Sequence, residues 1–139
     1  MKKIVTAVTC IVIAIGLFFG IRSAFITKSF YFNDAESVTI SDLENKKVVE
    51  ITDKEDKRFI ETFCSGRNSF PGTLETPACF FDTVRVTIVK NGKTYYVYPT
   101  NDGCDNLLIK YKGTEYYASM NGSLKKFVKI VQKNRLSWT

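Results

Sequence analysis

Apolar and polar side chains alternate through VRVTIVKNGKTYYVYP, residues 84–99, a period of two that belongs to β-strands with one buried face. Asn91-Gly92 interrupts the alternation midway, and a two-residue type I′ turn, which needs positive φ at both central positions, is the connection this pair favours. The spacing predicts Lys90 opposite Lys93, Ile88 opposite Tyr95, Val86 opposite Val97 and Val84 opposite Pro99. Val84, Val86, Ile88, Tyr95 and Val97 then share a face expected to be the core, while Arg85, Thr87, Val89, Thr94, Tyr96 and Tyr98 share the other. LLIKYKGTEYY repeats the device, with a turn at Lys112-Gly113 that sets Ile109 against Tyr116 and Lys110 against Glu115 as a cross-strand ion pair.

Upstream the pattern is weaker. Val38-Thr39-Ile40 and Lys47 to Ile51 read as short strands joined by the polar SDLENK. Thr52-Asp53-Lys54-Glu55 has capping-box spacing with Thr52 as the N-cap. In the helix that follows, Phe59, Ile60 and Phe63 share a face, Cys64 lies beside them, and Gly66 suits the positive-φ position beyond the last turn. The segment SGRNSFPGTLETPA reads as loop. At the carboxy end Leu124, Phe127, Val128 and Val131 recur at helical spacing, with Lys125, Lys126, Lys129 and Lys133 on the outer side. The expected fold is α+β, an antiparallel sheet of four or more strands in the order β-β-α-β-β-β-β-α with both helices on one face.

The amino terminus follows a different rule. Lys2 and Lys3 precede eighteen residues without a charge, Ile4 to Ile21, before Arg22. As a helix that run is about 27 Å long, enough to span a bilayer core. Residues 1–24 are read as a transmembrane anchor, with the amino terminus inside and the domain outside by the lysine bias. The competing reading is a signal peptide cut after Ser23; a cut after Ala24 places Arg22 at −3, where a small residue belongs. Residues 25–36 form a juxtamembrane segment in which Phe25, Phe30, Tyr31 and Phe32 either sit at the lipid interface or pack on the domain. Residues 37–139 form the extracytoplasmic domain.

Composition narrows the chemistry. A chain of 139 residues supports one domain, and its net charge of +6 is uneven: residues 23–82 carry seven basic and eleven acidic side chains, residues 83–139 ten and three. An external basic domain meets membrane surfaces, envelope proteins or anionic wall polymers, and an outside location argues against nucleic acid. Outside a membrane, disulfides are permitted. Cys79 and Cys104 continue the register of the first hairpin and are expected to bridge its open end; Cys64 is then a buried odd thiol, or the alternative partner of Cys79. Histidine is absent, which excludes Ser-His-Asp and Cys-His catalysis and histidine-ligated zinc. Asp82, Asp102 and Asp105 do not have the spacing of a calcium loop, no Gly-rich phosphate loop is present, and neither metal nor cofactor is expected. No catalytic residue stands out; an envelope enzyme would have to use a carboxylate or Cys64.

What remains is surface. Arg85, Tyr96, Tyr98, Lys110 and Tyr117 fall on the sheet face opposite the predicted core, and Tyr and Arg are the residues binding surfaces favour. The lysines at 125, 126, 129 and 133 are candidates for contact with anionic lipid or wall polymer. The expectation is a membrane-anchored extracytoplasmic binding module. The alternative is a secreted inhibitor or immunity-type protein released by signal cleavage.

YPTNDGC, followed by KYKGTEYYAS and a terminal helix, resembles small membrane-anchored extracytoplasmic proteins of Gram-positive bacteria that carry a YP-x-x-DGC…YY core and have no assigned activity. The resemblance covers the last two-thirds of the chain, implies an envelope location and brings no site residues with it.

Overall fold

In a computed structural model the chain is described at residues 9–17, 28–68 and 83–138. Residues 9–17 form a helix, α1, whose side chains are all exposed, among them Ile11, Val12, Ile13, Ile15 and Leu17. Among the described residues no helix is long and apolar enough to cross a membrane; the remainder of the predicted span 4–21 lies outside them.

The domain follows as β1 (Ser29–Phe30), β2 (Ser37–Asp42), β3 (Lys47–Glu50), α2 (Lys54–Cys64), β4 (Gly66–Arg67), β5 (Val84–Lys90), β6 (Lys93–Pro99), β7 (Asn106–Tyr111), β8 (Thr114–Ser119) and α3 (Leu124–Lys133). Six strands make an antiparallel sheet in the order β3-β2-β5-β6-β7-β8, and β1 pairs with β4 as a separate two-stranded ribbon. The architecture is α+β. The first hairpin has the predicted register from Lys90↔Lys93 to Val86↔Val97, and the second pairs Ile109 with Tyr116 and Lys110 with Glu115. Asn91, Gly92, Lys112 and Gly113 all take positive φ, as the two tight turns require. The long-range join is β2 on β5, from Ser37↔Val89 to Asp42↔Val84.

Both α2 and α3 cover one sheet face. Val38, Ile40, Val84, Val86, Ile88, Val97 and Ile109 are fully buried there, together with Ile60, Phe63 and Cys64 of α2 and Phe127 and Val131 of α3. The Phe63 and Phe127 rings stack at 4.7 Å with planes 5° apart. The inward stripe of α3 is Phe127, Ile130 and Val131, rotated from the predicted one, with Val128 only half-buried.

Other expectations are corrected. The N-cap of α2 is Asp53 and not Thr52: its carboxylate accepts from the amides of Glu55 at 3.1 Å and Asp56 at 2.9 Å. A charged acceptor at the positive end of the helix dipole outcompetes the neighbouring hydroxyl. Gly66 does not close α2 with a positive φ; Ser65 is the C-cap and Gly66 lies in β4. Its lack of a side chain serves close approach, since a Cβ there would meet Ser119 O at 3.0 Å and Ala118 Cβ at 3.1 Å. Residues 28–36 are part of the packed domain. Phe30 and Phe32 belong to the core, while Tyr31 between them is 69% exposed; Phe25 lies outside the described residues.

Two buried carboxylates tie the ends of the fold to its body. Glu61 accepts from the amides of Ala35 at 3.0 Å and Asp34 at 3.3 Å, and Ser65 Oγ accepts from the amide of Phe32 at 2.9 Å while donating to Glu61 O. Asp42, at the opposite end of β2, accepts from Asn45 N, Asn45 Nδ2 and Ser137 N, each at 2.9 Å.

Candidate functional site

The sheet face away from the helices is built by register. Thr39 pairs with Thr87, Thr87 with Tyr96, Tyr96 with Lys110 and Lys110 with Glu115, so these five side chains form one row across β2, β5, β6, β7 and β8. Leu108, between Tyr98 and Tyr117, belongs to the adjacent row, to which Ser41↔Arg85 contributes the far end. All five predicted surface residues, Arg85, Tyr96, Tyr98, Lys110 and Tyr117, are therefore brought onto one tract. No described helix packs on it.

Within the tract each cation lies over a ring. The Arg85 guanidinium is 5.3 Å from the centre of Tyr96, and the Lys110 ammonium is 5.5 Å from that of Tyr98. Lys110 also pairs with Glu115 at 2.8 Å, both side chains being nearly half exposed, and the Tyr117 hydroxyl donates to Glu115 Oε2 at 3.4 Å. The hydrogen bond to Glu115 holds the Lys110 pKa above the ordinary lysine range, with the Glu115 charge adding to it against desolvation. Burial, then the Glu115 charge, pushes the Tyr117 pKa up. Both shifts keep Lys110 a cation and Tyr117 a neutral phenol at neutral pH. Tyr96 is 40% exposed, whereas Arg85 Nε is buried and has no hydrogen-bond partner. A buried donor without an acceptor costs about 1–3 kcal/mol and calls for a physical account.

No protein-family model matches the chain, and no curated protein or solved structure is detectably similar to it. The functional reading therefore rests on this geometry.

The remaining predicted sites fare differently. Among the α3 lysines, Lys133 is committed to Asp56 at 2.7 Å with Asp53 at 3.9 Å, and Lys126 lies 4.5 Å above the Phe59 ring. Lys125 and Lys129 point to solvent. The four residues are not a uniform cationic stripe, because α3 packs antiparallel to the acidic start of α2. Cys79 and Asp82 lie outside the described residues; Cys104 is exposed, in the turn after β6, with its amide donating to Asp102 Oδ1 at 3.1 Å. Cys64 is a free thiol with no exposure, and burial pushes its pKa far up, so it is unavailable as a nucleophile. Among the described residues no three His, Cys, Asp or Glu side chains converge on a metal-sized site.

A second cluster had no sequence signal. The Lys28 ammonium lies 4.8 Å from the Tyr111 ring, 4.8 Å from Tyr116 and 5.4 Å from Phe30. Tyr95 stacks on Tyr111 at 4.6 Å and meets Phe32 edge-on at 5.1 Å. Only the hairpin positions of the tyrosines were legible; their convergence on Lys28 was not.

Proposed function

We propose that the chain is a single-pass, membrane-anchored extracytoplasmic binding module. Residues 4–21 cross the bilayer, and the open sheet face engages an anionic group of an envelope protein or wall polymer. The observation that carries the reading is Arg85. Its guanidinium is laid over an exposed tyrosine, and Lys110 lies on the same tract. A planar guanidinium matches a carboxylate or phosphate in two parallel hydrogen bonds, which an ammonium cannot do. Tyr96, Tyr98 and Tyr117 supply rigid contact area around it.

Binding of the full chain to poly(glycerol phosphate), and to an acidic peptide as the protein-type probe, tests this. Arg85→Ala is expected to weaken binding at least about ten-fold, as loss of a bidentate charge-assisted contact does. Arg85→Lys recovers only part of it. Unchanged affinity in a folded Arg85→Ala/Tyr96→Ala/Tyr98→Ala variant sinks the site. Topology is checked by the non-reducing intact mass of membrane-extracted protein with peptide mapping: a full-length mass bearing a Cys79–Cys104 bridge supports the outward-facing anchor, and a shortened mass favours the secreted inhibitor or immunity-type alternative.

A further inference from the structure

We infer that the end of the domain bearing the β5–β6 and β7–β8 turns lies directly on the anionic surface of the membrane that holds the anchor. The inference rests on the anchored reading above but concerns a different surface from the sheet face. Three observations converge on it. First, alternate strands of an antiparallel meander turn at the same end, so Asn91-Gly92 and Lys112-Gly113 project together, and residues 28–32 close over that end. Lys28 lies above Tyr111 and Tyr116, and Lys90 Nζ donates to Tyr31 O at 3.0 Å and Asn33 O at 2.6 Å.

Second, the corner formed by the two turns is cationic. Lys28, Lys90, Lys93 and Lys112 gather there with Asp34 and Glu36, and Glu36 already accepts from the Gly92 amide at 3.0 Å; the acids Glu50, Asp53, Glu55 and Asp56 lie at the β3–α2 edge of the same end, interleaved with Lys54, Lys57 and Arg58. Between the 28–32 segment and the β5–β6 turn is a cleft of about 240 Å³, lined by Lys28, Lys90, Lys93, Asn91, Tyr31 and Tyr95 among others. It offers lysine ammonium groups and aromatic edges, the pairing suited to a phosphate headgroup at a bilayer interface. Tyr31, mostly exposed, stands at its rim.

Third, the chain itself leads there. Helix α1 ends its described part at Leu17 with every apolar side chain exposed, and Lys28 begins the domain. The ten intervening residues reach at most about 35–40 Å, and the described chain enters the domain at this end, where Lys28 lies over Tyr111 and Tyr116. The α3 lysines are not part of this corner: Lys125 and Lys129 are exposed on the helix, and Lys133 is held by Asp56 and Asp53 at the start of α2.

The test is lysine acetylation footprinting of the full chain, read by peptide mapping, in vesicles of phosphatidylcholine alone and with phosphatidylglycerol added. Flotation of the same samples reports the anchor separately. Anionic lipid is expected to slow modification of Lys93 and Lys112 several-fold and to leave Lys125 and Lys129 unchanged. Near an anionic surface each lysine contributes about a five-fold factor, so Lys93→Gln/Lys112→Asn lowers the docked-to-undocked ratio about 25-fold, and Lys28 and Lys90 recover the rates seen in phosphatidylcholine. Equal slowing at Lys125 and Lys129, or no slowing at Lys93 and Lys112 in protein that floats, overturns docking through this end while the anchor survives. Protein that floats only with phosphatidylglycerol, and loses this on Lys93→Gln/Lys112→Asn, overturns the anchor and keeps the docking end. Protein that floats with neither overturns both.

Discussion

The attachment of residues 28–36 to α2 makes a quantitative prediction, because it turns on one carboxylate. Glu61 is 6% exposed and its two oxygens accept from the buried amide of Ala35 and the half-buried amide of Asp34. Glu61→Ala leaves the Ala35 amide buried with no acceptor, at about 1–3 kcal/mol, and removes a weaker partly hydrated bond worth about 0.5–1 kcal/mol. The shortened side chain brings no compensating apolar burial, so the expected loss is about 2–4 kcal/mol. Glu61→Gln keeps one oxygen for Ala35 and sets an amide NH₂ against the Asp34 amide, for a loss of about 1 kcal/mol. Urea unfolding followed by the emission of Trp138, which meets the Phe127 ring edge-on at 5.1 Å, measures both. Hydrogen exchange locates the effect: if the segment opens locally, the Ala35 amide exchanges about 30-fold faster or more in Glu61→Ala, each 1.4 kcal/mol being a factor of ten. A Glu61→Ala loss below about 0.5 kcal/mol, or equal losses in both variants, would refute the argument that desolvated amides, and not the helix packing around them, are what the carboxylate serves.

Other outcomes follow from neighbouring geometry. The Asp42 carboxyl is held below its ordinary value of 3.8, first by the Asn45 amide, then by the Asn45 side chain and the Ser137 amide; its stabilising contribution is therefore complete above about pH 4 and lost as pH falls through the depressed folded value. Asp42→Asn should accordingly lower the urea midpoint at pH 7 and flatten the fall of that midpoint on acidification. Gly66→Val forces a branched side chain against the Ser119 carbonyl and Ala118 Cβ, and a destabilisation of about 1–3 kcal/mol in the same unfolding assay is expected because backbone cannot yield as a side-chain end can. Glu115→Gln, by contrast, breaks an ion pair of nearly half-exposed groups and should cost under about 0.5 kcal/mol; a larger loss would mean that the pair supports the sheet. Cys64, fully buried, should react with an aromatic disulfide reagent only at the rate of unfolding in the native protein and at once in denaturant.

The parts of the fold that the chain pattern disclosed are those whose partners are close in sequence. Two turns set the registers of β5–β6 and β7–β8, and register alone assigns Arg85, Tyr96, Tyr98, Lys110 and Tyr117 to one face. Nothing local says that β2 joins β5 or that Phe30 and Phe32 enter the core, since an aromatic run after an apolar helix is equally suited to a lipid interface. The Thr52 cap failed for a smaller reason: two adjacent residues had capping oxygens, and the carboxylate took the amides. The partner of Lys133 was hidden by distance, Lys133 and Asp56 being separated by 77 positions. The Lys28 cluster was invisible for the same reason, Lys28 and Tyr116 lying 88 positions apart.

Joining the lysine-rich end to the open sheet face sets the orientation the proposed module would adopt. The strands run from the β5–β6 and β7–β8 turns toward Asp42 and the turn after β6. With the turns on the bilayer the sheet stands along the membrane normal, and its seven-residue strands β5 and β6 rise about 23 Å at 3.3 Å per residue. Arg85, close to the far end of β5, then lies five residues from Lys90, about 16 Å above that end of the sheet. That height exceeds the Debye length of about 8 Å at physiological ionic strength. In that proposed orientation the two cationic surfaces would be separated in function: lipid charge would act on Lys28, Lys90, Lys93 and Lys112, while Arg85 would stand beyond its screened field and be left to a ligand arriving from the outer side. Raising ionic strength should release the turns from anionic vesicles before it weakens a bidentate contact at Arg85, because a partly buried guanidinium pair is screened less than exposed lysines on a lipid surface. The reverse order of salt sensitivity, measured on the full chain in the same vesicles, would mean that the ligand face and the membrane face are one surface.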